Sequence, residues 1–214
     1  MKNVSKIQRR AGFTLIELLV VISIMGVLAA LTFPVIQAVK QKQKLQLARA
    51  ELSDIAARVE NYHVKYGVYP PGNAGNCMLS QLYSELSGTT NNGTAYVTLD
   101  GASQILIGDV NTAYGVGGFI NCSKSGGEDA PAARNFLVGL SPRLIYYPVT
   151  NNGIPTTMLV TSVGGPDQSY QPLNAPGLNP FRYANPGTNN PNSYDLWVDL
   201  QINGKINRIN NWSR

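Results

Sequence analysis

The stretch Gly12-Phe13-Thr14-Leu15-Ile16-Glu17-Leu18-Leu19-Val20-Val21 opens an apolar segment that continues to Val39. Residues 13–39 carry one formal charge, Glu17. At helical rise the segment is roughly 40 Å long, against about 30 Å of bilayer hydrocarbon, and the sequence therefore predicts a membrane helix. A carboxylate facing lipid costs roughly 2–3 kcal/mol, so Glu17 calls for a partner. If the chain is cut between Gly12 and Phe13, the new α-amino group lies about one helical turn from Glu17. A packed neighbour displaced along the axis can also bring its own amine to the carboxylate, neutralising both charges away from water. The charge then sets the register between helices.

Upstream of this segment, residues 1–12 contain Lys2, Lys6, Arg9 and Arg10 and no acid, which fits a cytoplasmic flank before a span. Without these four charges the formal net charge of +5 falls to +1, so the pI near 9.2 is largely a property of the leader. No nucleic-acid footprint follows from it. Ala29 and Ala30 resemble the small-residue cleavage site of an ordinary secretory signal, and cleavage there is the alternative to a cut after Gly12. Beyond the helix there is room for one modest domain. Cys77 and Cys122 are the only cysteines. An even count on the far side of a membrane favours one disulfide, which would stabilise by roughly 3–4 kcal/mol through the unfolded state. Two buried free thiols are the alternative.

Within the span, Gly26 and Pro34 each weaken a helix, Pro34 by removing a donor and clashing one turn back. After Lys40 the pattern turns amphipathic. Leu45, Ala48, Leu52, Ile55, Val59, Tyr62 and Tyr66 alternate steps of three and four, which places them on one face that a domain or a neighbouring subunit must cover. Gly67 and Pro70-Pro71 end the helix. A short helix is predicted over 78–86, strands over 96–99 and 104–107, and one or two helical turns over 132–139. Residues 115–118 and 123–129 read as glycine-rich loops, and 144–149 with 156–162 as strands around an Asn151-Asn152-Gly153 turn. The only histidine, His63, lies beside the apolar stripe with no ligating or catalytic partner nearby in sequence. No nucleophile elbow, metal motif or phosphate loop is present, which leaves a membrane-anchored extracytoplasmic hydrolase as a remote reading.

The basic leader, Gly12, Phe13-Thr14-Leu15-Ile16-Glu17 and the apolar run resemble the class III signal of type IV pilins and type II secretion pseudopilins. The resemblance implies an α+β, pilin-like fold: a long N-terminal α-helix packed on a small antiparallel β-sheet head with short helices and loops. It implies a leader over 1–12, a transmembrane and filament-core half-helix over 13–39, an amphipathic half over 40–66 and an extracytoplasmic head over 67–214. By the same likeness, prepilin peptidase cuts after Gly12 and methylates Phe13, Glu17 is needed for assembly, and Gly26 and Pro34 bracket a segment able to lose helical hydrogen bonds in the filament. A plain kink is the alternative for those two residues.

Asn179-Pro180-Phe181-Arg182-Tyr183, Asn185-Pro186-Gly187, Ser193-Tyr194-Asp195-Leu196-Trp197 and Asn210-Asn211-Trp212 are similar to the C-terminal segment of major pseudopilins, here 179–214, as is Tyr66-Gly67-Val68-Tyr69-Pro70 after the helix. Residues 73–175 show no such likeness. The family's calcium loop lies in that last segment, which makes Asp195 and Asp199 the candidate Ca2+ ligands, with solvent-facing aspartates as the alternative. Arg208 departs from the pattern, standing where the family tends to offer an aspartate. The resemblance implies a non-enzymatic subunit of a homo-oligomeric helical filament on the bacterial inner membrane. Its implied partners are prepilin peptidase, an inner-membrane assembly platform and minor pseudopilins. A minor pilin with an adhesive or binding role is the competing reading.

Overall fold

The computed structural model describes residues 12–124, 132–165 and 177–213; the side chains of 31–35 and of Lys124 lie outside the description. Most of the expected leader and most of the expected 123–129 loop fall outside these residues. The chain divides into two compact units, residues 1–43 and 44–214.

Helix α1, Leu15–Tyr66, carries residues of both units and is unbroken. In the first unit its described apolar side chains are exposed: Leu15 is 83% exposed and Met25 64%. No helix among the described residues is long and apolar enough to cross a membrane. The described apolar stretch of α1, residues 15–30, spans roughly 24 Å before side chains 31–35 interrupt the description. A face of this kind needs lipid or another protein surface.

In the second unit the predicted stripe is the spine of the core. Ala48, Leu52, Ile55, Val59 and Tyr62 are buried against Leu82 and Leu86 and against Phe181, Tyr183, Leu196 and Val198, with Leu45 and Tyr66 at the margins. Each large aliphatic or aromatic side chain so buried stabilises by roughly 1.5–3 kcal/mol. The head itself therefore covers the amphipathic half of the helix. Gly67, with φ of 70°, stops α1 in the left-handed conformation that glycine adopts without penalty, and its amide donates to the His63 carbonyl.

Three small sheets make up the rest. Strands β1 (Thr89–Asn91), β2 (Ala95–Thr98), β3 (Gln104–Leu106) and β4 (Cys122–Lys124) form a sheet of order β3-β2-β1-β4, antiparallel except for the parallel β1–β4 pair. Strands β5 (Ile145–Asn151) and β6 (Ile154–Leu159) form a hairpin, and β7 (Arg182–Ala184), β8 (Asp195–Ile202) and β9 (Lys205–Asn210) an antiparallel meander. The fold is α+β and pilin-like, with antiparallel-rich sheets; the single sheet expected is in fact three. Asn152 and Gly153 both take positive φ, as a two-residue hairpin turn matching strand twist requires, and Asn203-Gly204 repeats the device between β8 and β9.

Two helices differ from expectation. Helix α2 spans Leu82–Ser87, starting four residues later than predicted, because Asn73 and Asn76 hold the preceding chain in side-chain-capped turns. Helix α3, Ile107–Tyr114, was not expected; the side chains of Asn151 and Asn152 donate to the carbonyls of Ala113 and Thr112 and so satisfy its C-terminal end. Residues 132–139 contain no helix. They form a loop that turns at Val138-Gly139, with the amide of Phe136 donating to the Leu86 carbonyl and that of Arg134 to Asn121 Oδ1.

Candidate assembly site

Gly12 and Phe13 precede α1, and Phe13 is 81% exposed. A Cβ built on Gly12 would meet nothing within 4 Å, so no packing among the described residues demands glycine there. Thr14 and Glu17 form a reciprocal cap at the start of α1. The Thr14 amide and hydroxyl donate to Glu17 Oε2 at 2.8 and 2.7 Å, and the Glu17 amide donates to Thr14 Oγ1 at 3.3 Å. This is the S/T-x-x-E capping box, and it puts the carboxylate at the positive end of the helix dipole. The sequence presents Glu17 as a lone acid awaiting an amine, yet in the single chain it has a local partner in Thr14. Thr14 was overlooked, although its spacing of three from Glu17 was the signal.

Neither Gly26 nor Pro34 breaks α1. One proline removes one donor, and the regular ladder on both sides holds the helix through it. His63 stacks on Tyr69 with ring centroids 4.1 Å apart and 12° between planes, a packing contact.

The cysteines are corrected by the structure: both are half-buried free thiols. The Cys77 carbonyl accepts from the Tyr183 amide on β7, whereas Cys122 sits on β4 opposite Thr89. The two are thus anchored to different sheets. Burial pushes the Cys77 thiol above its ordinary pKa.

Asp195 and Asp199 are buried on β8 instead of facing solvent. Four residues apart on one strand, they are about 13 Å from each other along it, too far to share one ion. Asp195 accepts from the Asn189 amide and side chain at 2.8 and 2.9 Å and from the Asn190 amide at 3.0 Å. Asp199 is held by Arg208, whose Nε and Nη2 donate at 2.8 and 3.0 Å, with Arg182 Nε 3.8 Å away. No group of three or more metal-ligating acids, histidines or cysteines occurs among the described residues. Amide hydrogens and guanidinium groups occupy the carboxylates, so this donor set does not fit calcium.

The loop around Asp195 is also tight. A Cβ on Gly187 would lie 2.6 Å from Asp195 Oδ1 and 2.8 Å from its backbone nitrogen. Gly187→Ala is therefore expected to lower stability by about 1–3 kcal/mol through overpacking, measured by thermal denaturation. An unchanged melting temperature would contradict this loop geometry.

The model of the prokaryotic N-terminal methylation motif matches residues 7–33. The chain is 38% identical over 63 residues to the type II secretion system core protein G of Pseudomonas aeruginosa, covering 29% of this chain and 44% of the relative. It is 38% identical over 63 residues to the core protein G of Klebsiella pneumoniae, covering 29% and 45%. It is 37% identical over 67 residues to the fimbrial protein EcpC of Eikenella corrodens, covering 31% and 44%. The matched segments span less than half the length of these curated relatives. No solved structure matches the chain. Capped helix, exposed apolar face and matched motif coincide in one stretch, and in that stretch the chain is similar to the pilin-like pseudopilins.

Proposed function

We propose that this chain is a structural, non-enzymatic subunit of a type II secretion pseudopilus. The observation that carries the reading is the Thr14–Glu17 cap at the head of a helix whose described apolar side chains in the first unit are exposed, directly after Gly12-Phe13. Residues 13–39 anchor the precursor in the bacterial inner membrane, and the head stands on the periplasmic side. Prepilin peptidase cuts after Gly12 and methylates Phe13. An assembly platform then lifts the subunit from the bilayer, and helix packs on helix as contacts between subunits replace contacts with lipid. During that transfer the Phe13 amine of one subunit meets Glu17 of its neighbour, and the cap keeps Glu17 satisfied until then. Minor pseudopilins complete the filament.

Gly12→Ala tests the cleavage site. With no contact among the described residues to disturb, the variant is expected to fold unchanged but to accumulate as precursor, read by intact mass and N-terminal sequencing. Efficient cleavage after residue 12 would remove the assignment. A surface pilus is the second reading, favoured by the likeness to a fimbrial protein. Electron microscopy of sheared surface material separates the two: long free fibres at wild-type expression indicate a pilus.

A further inference from the structure

The C-terminal meander contains a cation of its own where the resemblance implied a metal. Asp199 on β8 and Arg208 on β9 are directly opposed in the antiparallel register. The guanidinium meets the carboxylate as a fork, Nε to Oδ1 at 2.8 Å and Nη2 to Oδ2 at 3.0 Å, so both oxygens are engaged in the geometry arginine fits best. Arg182, buried beneath, adds a second positive charge 3.8 Å from Oδ2. The Arg208 guanidinium also lies 5.8 Å from the Trp197 ring centre, and Trp212 packs edge-on against Trp197 at 5.7 Å. Arg208 thus ties β9 to β8, and Trp197 carries the contact on to Trp212.

We infer that Arg208 replaces calcium in closing the C-terminal segment of this chain, and that the head holds no structural calcium. Calcium requires six to eight oxygen ligands. Here a single carboxylate already faces two guanidinium groups, and a dication would add to a site whose net charge is positive. The other candidate, Asp195, is encircled by amide N–H groups of Asn189 and Asn190, the reverse of the carbonyl oxygens a cation needs. The inference concerns the folded monomer and stands or falls separately from filament assembly.

The test uses the full chain in detergent micelles, melted in calcium and in EDTA, with calcium titrated calorimetrically. The wild type is expected to melt at the same temperature in both and to take up no stoichiometric calcium. Arg208→Ala is expected to melt roughly 3–8 °C lower. Arg208→Lys should recover only part of the loss, because an ammonium cannot make the two-pronged contact. A wild-type melting point lowered by EDTA, or calcium bound at one per chain, overturns the inference. So does a silent Arg208→Ala. If Arg208→Ala does not fold, the chelator comparison on the wild type still decides.

Discussion

Glu17→Ala is expected to insert, to be processed after Gly12 and to form no filaments, and Glu17→Gln is expected to do the same. The two substitutions separate the roles that the structure gives this carboxylate. As the third helical residue after Thr14 it completes the cap, accepting from the Thr14 amide and hydroxyl. Glutamine serves equally well there, so Glu17→Gln keeps the helix start while removing the charge. Alanine removes both, at a cost of about 0.5–2 kcal/mol, too little to unfold a helix of this length. If pairing with a neighbour's amine drives register, both variants fail alike, because an uncompensated ammonium is left in an apolar interior. Counting sheared filaments by electron microscopy beside an immunoblot of processed subunit reads the outcome. Normal filaments from Glu17→Gln would show that the cap, and not the charge, is what assembly uses.

What could be read from the sequence depended on whether the signal was periodic or long-range. The stripe from Leu45 to Tyr66 repeats every three or four residues, and Ala48, Leu52, Ile55, Val59 and Tyr62 are buried as that spacing requires. The β5–β6 turn at Asn152-Gly153 announced itself by a dipeptide that takes positive φ twice. The same dipeptide at Asn203-Gly204 passed unread although its chemistry is identical. Helix α3 was hidden because its C-terminal end is satisfied by Asn151 and Asn152, about 40 residues away in sequence. The sequence predicts helical turns over 132–139, yet the Phe136 and Arg134 amides are claimed by Leu86 and Asn121. The cysteines and Asp199 failed for a common reason. Their pairing depends on which strands lie side by side, and spacing along the chain does not carry that information. At the candidate site the motif was legible and the cap was not, since Thr14 was read as one letter of a motif and not as a donor.

The largest loss of stability is expected from Glu85→Ala. Glu85 on α2 is fully buried, and its carboxylate accepts from the Ile120 amide at 2.9 Å, the Asn121 amide at 3.1 Å and the Tyr62 hydroxyl at 2.9 Å. Asn121 spends its own side chain on the Glu85 and Arg134 carbonyls, the Arg134 amide and the Tyr66 hydroxyl. One acid therefore joins α1, α2 and residues 120 and 121, and alanine leaves two buried donors, the Tyr62 hydroxyl and the Asn121 amide, and the partly exposed Ile120 amide without an acceptor. At about 1–3 kcal/mol for each buried donor left unsatisfied, the loss is a large share of the stability of a domain this size. Burial raises the Glu85 pKa above its ordinary value, and the two backbone amides and Tyr62 oppose the rise only in part. A raised folded pKa means that the contribution of this group is complete below the unfolded pKa and is lost as pH climbs through the folded one. Glu85→Gln cannot titrate, so the melting-temperature advantage of the wild type over Glu85→Gln should be widest in acid and narrow as pH increases. Melting both proteins across a pH series measures this. If the gap widened with pH instead, the three donors would outweigh desolvation, and the carboxylate would be ionised throughout.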